Sequence, residues 1–360
     1  MALPLSIQAQ SWSTNVAPIS TGRADGAAVA LNGQIYAMGG GNYSCGVYST
    51  LQAYNPLSNA WTTFTPMPTA RYEFGAAELN GVIYAVGGNP GCGAPPGLNV
   101  VQAYNPVSNA WTTEAPVPSG GWGAAVASAN GKLYVIGGTD NPTAVYSYNP
   151  SLNSWSTNSS CPSDLLFRAV AVSGGIIYVM GGNSGSTSSA SVFAYNPVTD
   201  NWTNEAPMIT PRVDAATGVI NGIVYVAGGG NPSNGHAVST VEAFNTQTGT
   251  WSTVTSLPFP VEAASGIVVN GTMYVIGGYD TNYNTLDTVE ALTLSPALNI
   301  ATAGAQVAVF WPASATNYVL QTTTNASSTN WVTVTNGIPI TGVMLPSTSK
   351  AAFFRLQQQP

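Results

Sequence analysis

The sequence predicts an all-β chain: a six-bladed β-propeller closed by an N-terminal strand, then a small C-terminal β-sandwich-like domain. Three repeating features of the sequence support the propeller. A Gly-Gly pair recurs six times at steps of 44 to 50 residues, each pair has a tyrosine three positions before it, and a tryptophan keeps the same period. The pairs begin at Gly39, Gly87, Gly137, Gly181, Gly228 and Gly277, and the tryptophans are Trp12, Trp61, Trp111, Trp155, Trp202 and Trp251.

Each repeat is predicted to form four short strands. The first is small and apolar and ends at a turn such as Asn32-Gly33, a pair that favours a tight hairpin. The second is apolar on both faces and ends at the Gly-Gly pair, the third ends in Tyr-Asn-Pro, and the fourth carries the tryptophan. Because a strand that is apolar on both faces must be covered on both, the sheets are expected to stack around a ring.

The two ends of the repeat region predict how the ring closes. The sixth repeat has its Gly-Gly pair and a third strand at residues 285–294, but no tryptophan follows in register. The surplus Trp12 precedes the first full repeat. We therefore expect residues 9–15 to supply the outer strand of the sixth blade.

The apolar strand, tyrosine, Gly-Gly pair, distant tyrosine and tryptophan of each repeat resemble the kelch family. The resemblance covers residues 1–295 and implies a six-bladed propeller. Residues 296–360 lose this period, and the stretches WPASATNYVLQTTTN and FFRLQ resemble a short immunoglobulin- or fibronectin-like domain at the C-termini of secreted bacterial proteins. That resemblance implies a spacer or sorting module in preference to a catalytic domain.

The composition bears on partners and location. Charged residues make up 6% of the chain, with 7 Lys and Arg against 14 Asp and Glu, for a net charge of −7. So few basic residues argue against binding nucleic acid or anionic membranes, and no apolar run is long enough to span a bilayer. A surface of Ser, Thr, Asn and Gly is more usual outside the cell, so we expect a secreted or cell-surface protein.

One face of the predicted ring is the expected ligand-binding face. In a four-stranded meander, the loops after strands two and four share a face, and here they are long and irregular, as in residues 41–49, 89–99, 230–239 and 279–287. Irregular loops on a rigid scaffold are where binding concentrates. The candidate binding residues on this face are Arg23, Asp25, Arg71, Tyr72, Glu73, Trp122, Arg168, Arg212, Asp214, His236 and Glu262.

The charged candidates have two interpretations. Arginines placed where strand four leads into the next blade suit the capture of carboxylates or other oxyanions. The pattern Arg-x-Asp/Glu also suits ion pairs within a blade that hold the loop. Five aromatic residues offer sugar-stacking surfaces or are ordinary exposed loop residues: Tyr43, Tyr72, Trp122, Tyr279 and Tyr283.

His236 is the single histidine of the chain. It is either an acid–base group or a solvated loop residue. The copper radical oxidases of the galactose oxidase type, which share a kelch propeller, need two histidine ligands, so that activity is not expected here. No ligand cluster for a metal, no nucleophile motif and no phosphate loop is evident, and we expect no cofactor.

The cysteines Cys45 and Cys92 occupy equivalent loops of adjacent repeats, five and four residues past their Gly-Gly pairs. They form either an inter-blade disulfide or two thiols. Cys161 lies in a different repeat on the same face.

The sequence therefore predicts a secreted binding or interaction protein, with a glycan or protein ligand docking on the long-loop face. Catalysis is not expected. The alternative is a metal-free carbohydrate-active enzyme similar to the kelch propellers that epimerise sialic acid. In that case the base would be Asp25, Glu73, Asp214 or Glu262, and Arg71 or Arg212 would anchor the substrate carboxylate. A structural surface or matrix protein is a third alternative.

Overall fold

A computed structural model describes most of the N-terminal four-fifths of the chain and short segments beyond it. The described residues are 10–91, 97–164, 166–167, 169–184, 187–231, 236–294, 299–303, 306–310, 318–323, 332–333, 342–346 and 353–358. The chain divides into two compact units, Trp12–Leu292 and a second unit of Met1–Ser11 with Thr293–Pro360. Within the described residues, no helix has the length and hydropathy needed to cross a membrane.

The described part of the chain forms six four-stranded antiparallel sheets, each of which is one blade. The strands are Ala27–Leu31, Gln34–Met38, Leu51–Asn55 and Ala60–Phe64 in blade 1; Gly75–Leu79, Val82–Val86, Val101–Asn105 and Ala110–Glu114 in blade 2; Ala125–Ala129, Lys132–Ile136, Val145–Asn149 and Ser154–Thr157 in blade 3; Ala169–Ser173, Ile176–Met180, Val192–Asn196 and Asn201–Asn204 in blade 4; Ala216–Ile220, Ile223–Ala227, Val241–Asn245 and Thr250–Val254 in blade 5; and Ser265–Val269, Thr272–Ile276, Val289–Leu294 and Gln10–Ser13 in blade 6. Two-residue ladders, Asn183–Ser184 with Thr187–Ser188 and Gly230–Asn231 with His236–Ala237, extend two of the loops.

The first strands of the blades form the inner wall of the ring. Each of them contacts the first strands of both neighbouring blades, and Ser265–Val269 of blade 6 contacts Ala27–Leu31 of blade 1. The sheets therefore close on themselves, and the predicted six-bladed propeller is confirmed.

Aromatic side chains fill the space between neighbouring blades. The third-strand tyrosine of one blade meets the second-strand tyrosine of the preceding blade, as in Tyr148 with Tyr84 at a ring-centroid distance of 5.8 Å. The same contact closes the ring, because Tyr54 of blade 1 packs edge-on against Tyr274 of blade 6, also at 5.8 Å. Such pairs contribute about 0.5–1.5 kcal/mol each beyond the area they bury.

The tryptophans join the outer strands to the preceding blade. The Trp61 indole Nε1 donates to the carbonyl oxygen of Ala17 at 2.8 Å, and Trp251 Nε1 donates to that of Ala206 at 2.8 Å. Trp12 Nε1 makes the equivalent bond to Thr255 at 2.9 Å. The strand Gln10–Ser13 therefore occupies the outer position of blade 6, as the sequence predicted, and its tryptophan makes the same bond as the other tryptophan strands.

The second unit contains two three-stranded antiparallel sheets in the described residues. One pairs Asn299–Ala303, Gln306–Phe310 and Gly342–Pro346, and the other pairs Val332–Thr333, Tyr318–Thr323 and Phe353–Gln358. Their packing into an immunoglobulin-like sandwich stays a prediction. The predicted boundary between residues 295 and 296 lies outside the described residues and also stays a prediction.

Removing residues 1–15 is expected to lower the melting temperature by roughly 10 °C or more, because it deletes the outer strand of blade 6 and the Trp12 hydrogen bond. Calorimetry of the truncated and full chains measures this. A truncated chain that melts at the same temperature would contradict closure by this strand.

Candidate functional site

A closed ring of backbone hydrogen bonds surrounds the propeller axis where each blade begins. One residue from each blade has a left-handed backbone, with φ between 49° and 70°. Each amide N–H donates to the carbonyl oxygen of its counterpart in the preceding blade, at 2.8 to 3.2 Å. The six residues are Asp25, Glu73, Gly123, Phe167, Asp214 and Ala263. Because these amides bond to one another, the ring presents no free N–H group to a ligand.

A cavity of about 130 Å³ lies at this ring. Its polar lining comes from the carboxylates of Asp25, Glu73 and Asp214, and its apolar lining includes Phe74 and Phe167. The ligand chemistry available at the axis is therefore that of three carboxyl groups set among apolar side chains.

The three carboxyl groups titrate far from their ordinary range. Burial raises the pKa of Asp25 and Asp214 well above its usual value, and repulsion from the neighbouring carboxylates, including Glu262, raises it further. Burial raises the pKa of Glu73 to about 7, although a hydrogen bond with the Asn89 side chain acts in the opposite direction. Among the described residues, none of these carboxylates is in an ion pair, since that set contains only the pair Arg212–Glu242.

Glu262, one of the four alternative bases, is not a member of the axial ring. The blade 6 member of the ring is Ala263, whose amide donates to the Asp214 carbonyl oxygen at 3.0 Å. Glu262 lies one residue earlier, against Gly230. Burial raises its pKa and the nearby His236 lowers it. His236 is exposed in the ladder that follows Gly230.

The arginines predicted to capture a ligand are buried in the blade walls. Arg71 is 0% exposed. Its Nη1 donates to the carbonyl oxygens of Gly87 and Val100 at 2.9 and 3.1 Å, and its Nη2 donates to Gln102 Oε1 at 2.7 Å. Arg23 and Arg212 make equivalent bonds. Nη1 of Arg23 donates to the carbonyl oxygen of Gly39, and its Nη2 donates to Gln52 Oε1. Nη1 of Arg212 donates to the carbonyl oxygen of Gly228, and its Nη2 donates to Glu242 Oε1.

This placement leaves Arg23, Arg71 and Arg212 without a guanidinium surface for a ligand. They bind acceptors of their own chain, so capture of an oxyanion does not fit this arrangement. The expected Arg-x-Asp/Glu ion pairs are also absent from the described residues, because Arg212 pairs with Glu242 on a strand and not with Asp214. Arg168 lies outside the described residues.

Blade 6 departs from the arginine pattern. Val261 occupies the position that arginine has in other blades. Its carbonyl oxygen accepts a hydrogen bond from the Gly229 amide, and the Arg212 carbonyl oxygen accepts the equivalent bond from the Gly182 amide. Glu290, at the strand position of Glu242, is 3% exposed, and its Oε2 has no hydrogen-bond partner. Burial raises its pKa.

Aromatic rings lie on the same face as the cavity. Tyr43 is 69% exposed and stacks on Tyr283 at a ring-centroid distance of 5.2 Å. The Tyr279 ring meets the Tyr43 ring edge-on at 6.4 Å. Asp25 and Glu73 lie close enough to raise the pKa of both Tyr279 and Tyr72, after the larger effect of burial. These four tyrosines are called the tyrosine cluster below.

Trp122 and Phe167 form a second aromatic contact beside the cavity, with centroids 5.4 Å apart. Sequence reasoning singled out Trp122 and missed Phe167. The signal that would have found Phe167 is its alignment with Asp25 and Glu73, each of which stands two positions before strand one of its blade.

Cys45 is disulfide-bonded. Cys92 lies outside the described residues, so its pairing with Cys45 stays a prediction. Cys161 is buried in the core between blades 3 and 4.

Replacing Arg71 with lysine is expected to lower the free energy of unfolding by about 3 kcal/mol, because one ammonium cannot reach the buried acceptors that the guanidinium fork holds. Urea unfolding measures the change. Gln102→Glu is the matched control, since it reproduces the Arg212–Glu242 pair and should be tolerated. An Arg71→Lys protein as stable as the wild type would contradict this structural role.

Replacing Glu73 with glutamine is expected to raise the free energy of unfolding at pH 8.5 by about 1–3 kcal/mol. A raised pKa in the folded state means that the ionised carboxylate is destabilising, and this penalty develops as the pH rises through about 7. Below about pH 4, the carboxyl is protonated in both states and the variants should match. The exposed Asp140→Asn is the control. Equal gains at both pH values would refute the assigned cause.

Comparison with known proteins agrees with the repeat and the blade count. The family described as the KLHDC2/KLHL20/DRC7 Kelch-repeats domain matches residues 76–278, and the Kelch motif matches residues 22–68 and 263–295. No curated protein matches the chain by sequence. The solved structure of YjhT is 18% identical, with a TM-score of 0.67, and the match covers 77% of this chain and 97% of YjhT, which shows a shared fold. This protein belongs to the kelch-repeat family.

Proposed function

We propose that the protein is a binding propeller whose ligand docks on the face formed by the loops after strands two and four. The observation that carries this proposal is the difference between the two faces. The proposed face holds the axial cavity with its carboxylates and the exposed tyrosine cluster. Kelch propellers commonly bind proteins, which favours a protein ligand over a glycan.

The opposite face is built from tight, repeated turns. Asn32-Gly33 is typical, with φ of 52° and 73°, the left-handed pair that a two-residue hairpin requires. The exposed apolar residues on that face, such as Leu57 and Val107, sit singly at the tips of equivalent turns. Isolated apolar residues of this kind are normal on a protein surface and do not form a site.

Two observations support secretion as part of this proposal. Cys45 is disulfide-bonded, and disulfides persist in oxidising compartments. The scarcity of charged residues, at 6%, agrees with an extracellular surface.

The acid–base enzyme remains a second candidate because of one observation. Glu73, with a pKa of about 7, lines the cavity and is matched to proton transfer near neutral pH. Against the enzyme, Arg71 and Arg212, which would have to bind the carboxylate of the substrate, are buried in the blade walls. Mutarotation of N-acetylneuraminic acid, followed by proton NMR, tests it: catalysis lost in Glu73→Gln would support the enzyme.

The binding proposal is tested by panning the full chain against a random-peptide display library and a glycan array. The variant Tyr43→Ser/Tyr283→Ser alters two exposed rings of the proposed face and should weaken selected ligands at least tenfold, since stacking area is lost. The control Leu57→Ser/Val107→Ser alters the opposite face and should bind as the wild type does. Recovery of no ligand, or an equal loss in the control variant, would overturn the proposal.

A further inference from the structure

Within the part of the chain that the structure describes, the axial carboxylates have no ion-pair partner. Asp25 and Asp214 are half-buried and line the cavity, and their carboxylate oxygens accept no hydrogen bond within the described residues. Burying an ionised group without a partner is costly. A cation placed in the cavity would remove that cost, so the site has more to gain from a positive ligand than from any other.

The mouth of the site also favours a cation. Tyr43 and Tyr283 are exposed and stacked, and Tyr279 and Tyr72 lie near enough to Asp25 and Glu73 for these carboxylates to raise the tyrosine pKa values. Faces of aromatic rings attract ammonium and guanidinium groups, and the attraction grows where water is excluded. The tyrosine cluster and the carboxylates are independent features that select the same charge.

Other ligand classes fit the cavity less well. The amides of the axial ring donate to one another's carbonyl oxygens, and Arg71 and Arg212 donate to acceptors in the blade walls, so neither set of donors is available to an anion at the axis. No group of three or more His, Cys, Asp or Glu side chains in the described residues could hold a metal ion. The ligand class that remains is an organic cation, such as the ammonium or guanidinium group of a side chain.

We infer that the ligand is a protein segment that places an arginine or lysine side chain across the tyrosine cluster, with its charged end at Asp25, Glu73 and Asp214. This inference rests on the proposed binding function and adds the chemistry of the partner. A net charge of −7 on the whole chain would assist the approach of a basic segment.

The site should bind its cation more tightly as the pH rises. The groups facing the cavity and its mouth are Asp25, Glu73, Asp214, Glu262, His236, Tyr72 and Tyr279. Burial raises the pKa of Glu73 to about 7, so this carboxyl ionises on going from pH 6 to 8.5. The pKa values of Asp25 and Asp214 are raised as well, so a lower pH reduces rather than increases their negative charge.

The experiment is a calorimetric titration of the full chain with acetyl-Gly-Arg-Gly-Arg-Gly-amide. The control peptide carries citrulline in place of arginine, which keeps the shape and removes the charge. We expect the arginine peptide to bind at least tenfold more tightly, to gain at least threefold between pH 6 and 8.5, and to weaken in high salt. The variant Asp25→Asn/Asp214→Asn should lose at least tenfold, and asparagine tolerates the left-handed backbone at both positions.

Controls separate this inference from the proposed function. Glu78→Gln alters a carboxylate at the Asn80-Gly81 turn of the opposite face and should leave binding of the arginine peptide unchanged. Equal affinity for the citrulline peptide, no binding of either peptide at millimolar concentration, or displacement of the peptide by calcium chloride at matched ionic strength would overturn the inference. If display selects uncharged peptides that require Tyr43 and Tyr283 but are insensitive to Asp25→Asn/Asp214→Asn, the binding face stands and the cationic ligand does not.

Discussion

The ring of backbone hydrogen bonds at the propeller axis is the constraint on which the rest of this structure depends. Six left-handed residues each bond to the counterpart in the next blade, so the blades are joined at their inner edge as well as through their aromatic layers. A side chain on a left-handed residue leaves the backbone in a direction that an ordinary strand residue does not use. Here that direction brings Asp25, Glu73 and Asp214 to one cavity.

Three of the few basic residues of this chain have structural roles inside the blades. Arg23, Arg71 and Arg212 each tie the first glycine of a Gly-Gly pair to a third-strand side chain, and they do so inside the blade. Among the described residues no guanidinium remains for the axis, so the carboxylates there are uncompensated. Because the arginines are bound inside the blade walls, the carboxyl groups set the charge at the axial cavity. Blade 6 shows the complementary case, because Val261 replaces the arginine and Glu290 is left buried with an unpartnered oxygen.

Much of the fold was predictable because its signals are local and repeat. Asn32-Gly33 requires left-handed angles that few other pairs adopt, and the Gly-Gly pairs are likewise left-handed; a Cβ on Gly39 would lie 2.7 Å from the Arg71 carbonyl oxygen. The surplus Trp12 predicted the closing strand because each of the five other periodic tryptophans pairs with strand three of its own repeat. Three of the candidate residues, Asp25, Glu73 and Asp214, line the axial cavity. The burial of Arg23, Arg71 and Arg212 in the blade walls was not predicted, since spacing does not show which way a side chain turns.

The amino-acid sequence by itself determined the number of blades, the turns, the closure and the face that carries the irregular loops, because each depends on residues near in sequence or on a simple period. Tertiary structure decided the partners of the charges. The register that makes Ala263 and not Glu262 the sixth axial residue comes from hydrogen bonds between blades. The burial of Arg71 and the exposure of the carboxylates to a shared cavity come from how the blades pack. Both depend on contacts between residues far apart in the chain, which local pattern does not encode.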